Sequence, residues 1–404
     1  MNLVVIPFHD WKKCEREGFR TRDAHFMQEF EKHPLVDRLV VINRPISLAE
    51  MILLRRNWKP KQGTTIYQQG DLIITQVSPK TYTVDILIRE LIKPLRMKRD
   101  WVPSIFGHEK VIDAVRLALT HLDVATNYAL FISAPLFAPL VKALSPPLFA
   151  FDAQDNLLKH ALYQDVPDLL AYYEYCLAHA DFVSSNSAET AVWFKQYRPD
   201  VAHIPNGVDN TLFNRDHLYP RPVDMAAIPA PVVGYAGKMQ EMFDVSLMQQ
   251  CLADMPDVQF VFIGQQLNPN WVKPLWQFNN AHYLGDKPYQ QLPQYLSAFD
   301  ICIIPYHMTR QHGGDPIKFY EYLAMENLIV TTNIGNVTAF ADYPQVCIAH
   351  SATEFVNGLK EFVHQSQQRM AIPRFSVPSE HLWRHKADLI IHALTAQNSA
   401  ITMI

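Results

Sequence analysis

The 404-residue sequence contains no apolar run of the roughly 18 to 20 residues that a membrane-spanning helix needs. Its first residues, Met-Asn-Leu-Val-Val-Ile-Pro-Phe-His-Asp, lack a basic segment and a small-residue cleavage site. They read as a first β-strand and not as a secretory leader. No C-x-x-C pair is present. The five cysteines, Cys14, Cys176, Cys251, Cys302 and Cys347, are scattered and odd in number, which argues for a reducing compartment and against a structural zinc site. A net charge of -4 is too mild for a chain that binds nucleic acid over its surface. No G-x-G-x-x-G follows the first strand, so a dinucleotide fingerprint is absent, and there is no low-complexity tract. With 49% hydrophobic and 19% charged residues, the chain has ample core for two or three globular domains.

What is present alternates between strand and helix. Leu3 to Ile6 reads as a strand closed by Pro7, followed by a polar, basic loop that holds His9, Asp10, Arg20 and Arg22. A helix from about Asp23 to Lys32 and a strand from Asp37 to Asn43 complete a β-loop-α-β opening. In doubly wound α/β domains ligands bind beyond the carboxyl ends of strands, so Arg20, Arg22 and His25 sit where a ligand could approach. A solvated helix start is the alternative. Residues 44 to 106 are the least regular, with a short helix over 47–56 and a hairpin over 64–77 turning at Gly70-Asp71. From Ile88 to Arg99 five cations stand against one acid, with interleaved aliphatics, Pro94 and then Trp101. That pattern suits peripheral contact with an anionic membrane through residues 88–101; an ordinary solvated face is the competing reading.

Helices and strands then alternate through Ile204, including a helix over 165–179 that Asp165 would cap. This order demands a parallel sheet. Four prolines between Leu218 and Pro231 read as a linker, and a second βα series runs from Val232 to Val363. The expected division is 1–206 and 207–377, with a last amphipathic helix over 378–397, containing Trp383, packing back on the first half.

The stretch Gly313 to Leu323 carries the clearest chemistry. Its glycines let backbone approach a ligand, Asp315 suits an N-cap and Pro316 the first helical position. A helix N-terminus, with Lys318 in the first turn, favours an anion. Glu321 lies one turn deeper, where a carboxylate can accept two hydroxyl hydrogen bonds. Together these would suit a nucleoside diphosphate, although a capped surface helix with a Lys–Glu pair would look the same.

Several motifs in order resemble the GT-B glycosyltransferases, closest to bacterial enzymes of surface-polysaccharide assembly with a Y/F-D-x-x-D motif. Phe151-Asp152-Ala153-Gln154-Asp155 matches that motif. His203 to Asp209, with Phe213, resembles the I-P-N-G-V-D-x-x-x-F hinge. Tyr283-Leu284-Gly285, running on to Asp300 and Tyr306, resembles the donor-domain stretch, and Pro316, Lys318, Glu321, Tyr322 and Leu323 match P-x-K-x-x-E-Y-L. The resemblance implies an α/β GT-B fold of two Rossmann-like doubly wound domains facing across a cleft. It also implies transfer of a sugar from a nucleotide diphosphate donor, UDP favoured, to a saccharide or lipid-linked saccharide acceptor. Donor-side residues would be Lys238, Tyr283, Gly285, Tyr306, Gly314, Asp315, Ile317, Lys318 and Glu321; His9, Arg20 and Arg22 would lie on the acceptor side. Asp155 is the favoured base, then Asp152, with His9 and Asp10 also in play. Cations at a helix N-terminus remove the need for a metal, and no cofactor is expected beyond the nucleotide sugar. The small-residue loop and cleft histidine of retaining members are missing at Ser133-Ala134-Pro135-Leu136. The paired-Glu signature would place its first acid at Gly313. Both departures favour inversion. The expected location is cytoplasmic, at the inner membrane face. A sugar-nucleotide epimerase and a non-catalytic sugar-nucleotide-binding protein remain as alternatives.

Overall fold

The computed structural model describes residues 1–308, 314–368 and 377–402. Contacts divide the chain into one unit formed by Met1–Ile204 with Trp383–Ile404 and another formed by Pro205–Leu382. The proline-rich stretch expected to link the halves therefore lies inside the second unit, ahead of that unit's first strand.

In the first unit the sheet runs, edge to edge, Ala202–His203, Phe182–Ser185, Leu148–Ala153, Ala129–Ile132, Asn2–Ile6, Arg38–Ile42, Thr81–Ile88, Leu72–Gln76, Thr64–Gln69. The first seven are parallel and the last two add antiparallel pairs. The parallel strands are continuous apolar runs because helices cover both faces; Leu3 to Ile6 and Leu39 to Ile42 are almost wholly buried. The edge strand Thr64–Gln69 is largely exposed and polar, as a strand with one open side should be. The hairpin read over 64–77 is present, turning between Gln69 and Leu72.

Three helix readings need correction. The loop read after the first strand contains a helix, Trp11–Glu17, capped by Asp10, whose carboxylate accepts from Lys13 N, and closed by Gly18 at φ 83°. Asp165 caps nothing: the helix begins at Leu169. The last helix is Trp383–Thr402, preceded by a single 3-10 turn over Ser379–His381, because the backbone is extended at Leu382. Trp383 anchors that helix, stacked on His25 at 4.7 Å and edge-on to Phe26 at 5.5 Å.

In the second unit six parallel strands run Ala281–Tyr283, Gln259–Ile263, Val232–Ala236, Ile301–Ile304, Leu328–Thr332, Val346–Ala349. In sequence order this is 3-2-1-4-5-6, the doubly wound arrangement. Its switch point lies between Val232–Ala236 and Ile301–Ile304, where successive connections depart in opposite directions and leave a crevice. The first unit has its own switch point between Asn2–Ile6 and Ala129–Ile132.

Candidate functional site

At the switch point of the second unit the loop Gly237-Lys238 leaves the first strand and Tyr306 follows the fourth. The helix Ile317–Ala324 begins nearby, N-capped by Pro316. Lys318, in the first turn, donates from Nζ to the Tyr306 hydroxyl at 2.5 Å. Its ammonium also lies over the rings of Tyr306 and Tyr235, 4.9 and 5.1 Å from their centroids. Aromatic faces attract a cation without neutralising it. No carboxylate among the described residues pairs with Lys318. Burial, and then the neighbouring Tyr306, push the Tyr235 phenol well up, so it stays a neutral wall. Gly237 makes room: a Cβ there would stand 2.5 Å from Lys318 Cε and 2.6 Å from Nζ.

The expected capping role of Asp315 is a correction. Its carboxylate accepts instead from the Asn206 N–H at 2.7 Å and the Tyr320 hydroxyl at 2.9 Å, while Asn206 Nδ2 donates to Asp315 O at 2.5 Å. Asp315 is thereby a tether that joins the Pro205-Asn206 segment to the loop before the helix. Gly335, at φ 55°, backs that loop closely enough that a Cβ would meet Gly314 O at 2.9 Å. Gly314 and Ile317 are thus held beside the helix N-terminus; Gly313 lies outside the described residues. Glu321 is buried, accepting from Tyr289 Oη at 2.6 Å. Tyr283 ends the edge strand Ala281–Tyr283, and Gly285 lies two residues beyond it. The Tyr283 hydroxyl donates to Gly264 O at 2.9 Å, and its ring stacks on Trp276. Lys238 is half-buried, its carbonyl accepting from Tyr235 at 2.8 Å.

In the first unit Asp152 and Asp23 are buried carboxylates near the carboxyl edge of the sheet. Asp152, read as a candidate base, is fully buried and held by Arg22: Nε to Oδ2 and Nη2 to Oδ1, both 2.8 Å. Ser184 adds a hydroxyl at 2.7 Å, and Arg22 Nη2 also donates to Ile204 O. Asp152 and Arg22 satisfy each other; neither is left for an acceptor, which corrects both readings. Asp155 is half-buried, and its carboxylate has no hydrogen-bond or ion-pair partner among the described residues. Arg20 is half-buried in the same loop region.

The second carboxylate, Asp23, was not singled out by sequence. It collects the N–H groups of Phe8 and His9, Ser133 Oγ at 2.5 Å, Gln154 Nε2 at 2.6 Å and His9 Nδ1 at 2.9 Å. Burial raises its pKa, but the hydrogen bonds from His9, Ser133 and Gln154 and the His9 charge outweigh that and leave it below the usual carboxylate range. A carboxylate against Nδ1 orients the imidazole, and in a neutral ring with its proton on Nδ1 the lone pair is on Nε2. The His9 side chain is 22% exposed. Ser133 and Gln154 sat inside motifs already quoted; only their convergence on Asp23, over separations of 110 and 131 residues, was invisible.

Residues 230–365 match the family model Glycosyl transferases group 1. A segment of 144 residues is 25% identical to TuaH of Bacillus subtilis (strain 168), whose name describes a teichuronic acid biosynthesis glycosyltransferase. That segment is 35% of this chain and 36% of TuaH, so the match spans about a third of either protein. A trehalose-6-phosphate structure from E. coli, bound with UDP-2-fluoro glucose, superposes with a TM-score of 0.63 at 10% identity, covering 100% of this chain and 99% of that one. The UDP-GlcNAc 2-epimerase of Neisseria meningitidis, bound to UDP-GlcNAc, gives 0.53 at 11% identity over 98% and 99%. The chain has the GT-B fold that these proteins share.

Proposed function

We propose that this chain is a glycosyltransferase that moves a sugar from a nucleotide diphosphate donor, UDP-sugar favoured, to a saccharide or lipid-linked saccharide acceptor in polysaccharide synthesis. It would work without a metal or other cofactor, in the cytoplasm and at the inner face of the membrane. The observation that carries the reading is Lys318, a half-buried cation with no acidic partner among the described residues, fixed at the switch point beside a helix N-terminus. A departing nucleoside diphosphate needs that charge. The family model covers this same unit, the Bacillus relative is described as a transferase, and a solved structure of the same fold holds a UDP-sugar. Glu321 would accept the ribose hydroxyls, and Tyr283 and Gly285 would line the base.

In the reaction the acceptor oxygen attacks the anomeric carbon, the bond to the β-phosphate breaks, and the acceptor proton passes to a base. We favour the Asp23-oriented His9 as that base, because a carboxylate fixes its ring. Asp155, unpartnered and half-buried, is the alternative, and either accords with inversion.

The test is acceptor-dependent UDP release from a donor panel, with the product anomer read by NMR. His9→Ala should lower kcat about 10²- to 10⁴-fold, the usual contribution of a general base. Asp155→Asn should cost less; the reverse order reassigns the base. Release of an altered sugar without acceptor would instead identify an epimerase.

A further inference from the structure

Exposed aliphatic side chains are concentrated in one place on the first unit. The two-residue strand Ile46–Ser47 pairs parallel with the end of Thr81–Ile88, Ile46 opposite Leu87 and Ser47 opposite Ile88. Ala49 N–H then donates to Glu90 O at 3.4 Å, so segments 46–56 and 87–97 run side by side. Each turns into a short helix, Leu48–Leu53 and Lys93–Met97. From the first segment Ile52, Leu53 and Leu54 stand 67%, 61% and 59% exposed; from the second, Leu91, Ile92 and Leu95 stand 52%, 71% and 61% exposed. Scattered single apolar residues are ordinary on a surface, but six from two adjoining segments are a patch that water disfavours.

The charge around the patch is predominantly positive. Arg55, Lys93, Arg96, Lys98 and Arg99 are all exposed. The two nearest acids are spent locally. Glu50 is buried, closing the capping box with Ser47 and binding Arg44 and Arg56, and Glu90 accepts from the N–H groups of Leu91 and Ile92 at 3.1 and 3.2 Å. Trp101, expected to share this surface, is only 5% exposed and instead ties the segment to the core. Pro94 falls in the first turn of its helix, where it does no harm, and so does not interrupt the surface.

We infer that Ile52, Leu53, Leu54, Leu91, Ile92 and Leu95 insert together into the interface of an anionic lipid bilayer, with the surrounding cations against its phosphates. An apolar patch could also be covered by a second copy of the chain. A two-fold contact would bring each basic rim onto its own copy, whereas an anionic bilayer satisfies both the apolar centre and the rim. The inference deepens the peripheral contact through residues 88–101 by adding the segment at 52–54, and it rests on the proposed function only for what the enzyme would do there.

The test is flotation of the full chain with phosphatidylcholine vesicles, with and without phosphatidylglycerol, alongside UDP binding by calorimetry. The chain should float with the anionic vesicles and not with phosphatidylcholine alone. The triple variants Ile52→Ser/Leu53→Ser/Leu54→Ser and Leu91→Ser/Ile92→Ser/Leu95→Ser should each reduce the bound fraction at least ~10-fold, since each removes apolar area from the lipid. Both alter exposed side chains, so unchanged thermal melting shows them folded. UDP binding should be unchanged in both, because Lys318 lies in the other unit. Three outcomes would overturn the inference: no flotation of the native chain; flotation lost on charge reversal at Lys93 and Arg96 but intact in both serine triples; or a dimer that the serine triples convert to monomer. Flotation without UDP binding would leave the membrane surface standing and remove the donor site.

Discussion

The two switch points of this protein solve opposite electrostatic problems. In the first unit the buried anions at the carboxyl edge of the sheet are consumed, Asp152 by Arg22 and Ser184, Asp23 by five donors, and only the half-buried Asp155 is left over. In the second unit the central charge is a cation held by two tyrosines that leave it charged. A buried carboxylate that meets several donors is part of the scaffold, or orients a neighbour as Asp23 orients His9. A charge that burial leaves without its opposite is available for a ligand. The difference separates the motif residues that build the site from those that would act in it.

Breaking the first unit's pair should give the largest effect. Asp152→Ala leaves the buried Arg22 without its carboxylate, which costs roughly 3–5 kcal/mol for such pairs. Urea denaturation should show that loss, and a variant within 1 kcal/mol of the native chain would mean the pair is not structural. Breaking the second unit should spare stability and strike turnover. Lys318→Ala removes stabilisation of the leaving diphosphate and should lower kcat about 10²- to 10³-fold, as loss of one transition-state donor does. Normal melting with that deficit supports the contrast; unchanged turnover removes Lys318 from the donor site.

A smaller effect separates the two uses of carboxylates by pH. The folded-state pKa of Asp23 is lowered, so its contribution to stability is fully present above the unfolded value near 3.9 and is lost as pH falls through the folded value. Each unit of lowering is worth about 1.4 kcal/mol. Stability against urea should therefore decline with acid below about pH 4, and Asp23→Asn should flatten that decline. An acid limb that persists unaltered in the variant would assign it to other carboxylates.

The sequence was most readable where burial writes itself into composition. Strands covered on both faces are apolar runs such as Leu39 to Ile42 and Ile301 to Ile304, and their spacing by helices demanded parallel sheets. Short polar helices were less visible: Trp11–Glu17 buries only Trp11 and Cys14, so its cap at Asp10 and stop at Gly18 were the remaining signals. Least visible were partnerships set by the tertiary fold. Arg22 and Asp152 are 130 residues apart, and Asn206 and Asp315 are 109 apart. Each looks like a free functional group until its partner arrives. Motif spacing could not tell a spent charge from an available one.

Glu321 tests that distinction most finely, because it is buried like Asp152 yet read as a ligand group like Lys318. Its Oε1 accepts from Tyr289, whose ring packs edge-on to Phe213 at 5.5 Å. Tyr289→Phe keeps that packing and removes only the donor. If Glu321 holds the ribose of the donor, its carboxylate without that hydrogen bond is less well aimed at the sugar in the ground and transition states alike. Loss of binding common to both raises KM and leaves kcat alone. One neutral hydrogen bond is worth about 0.5–1.5 kcal/mol, so donor KM should rise roughly 2- to 10-fold. The measurement is a donor titration at saturating acceptor. A fall in melting temperature with no change in KM would class Glu321 with Asp152, as scaffold; a selective rise in KM would class it with Lys318.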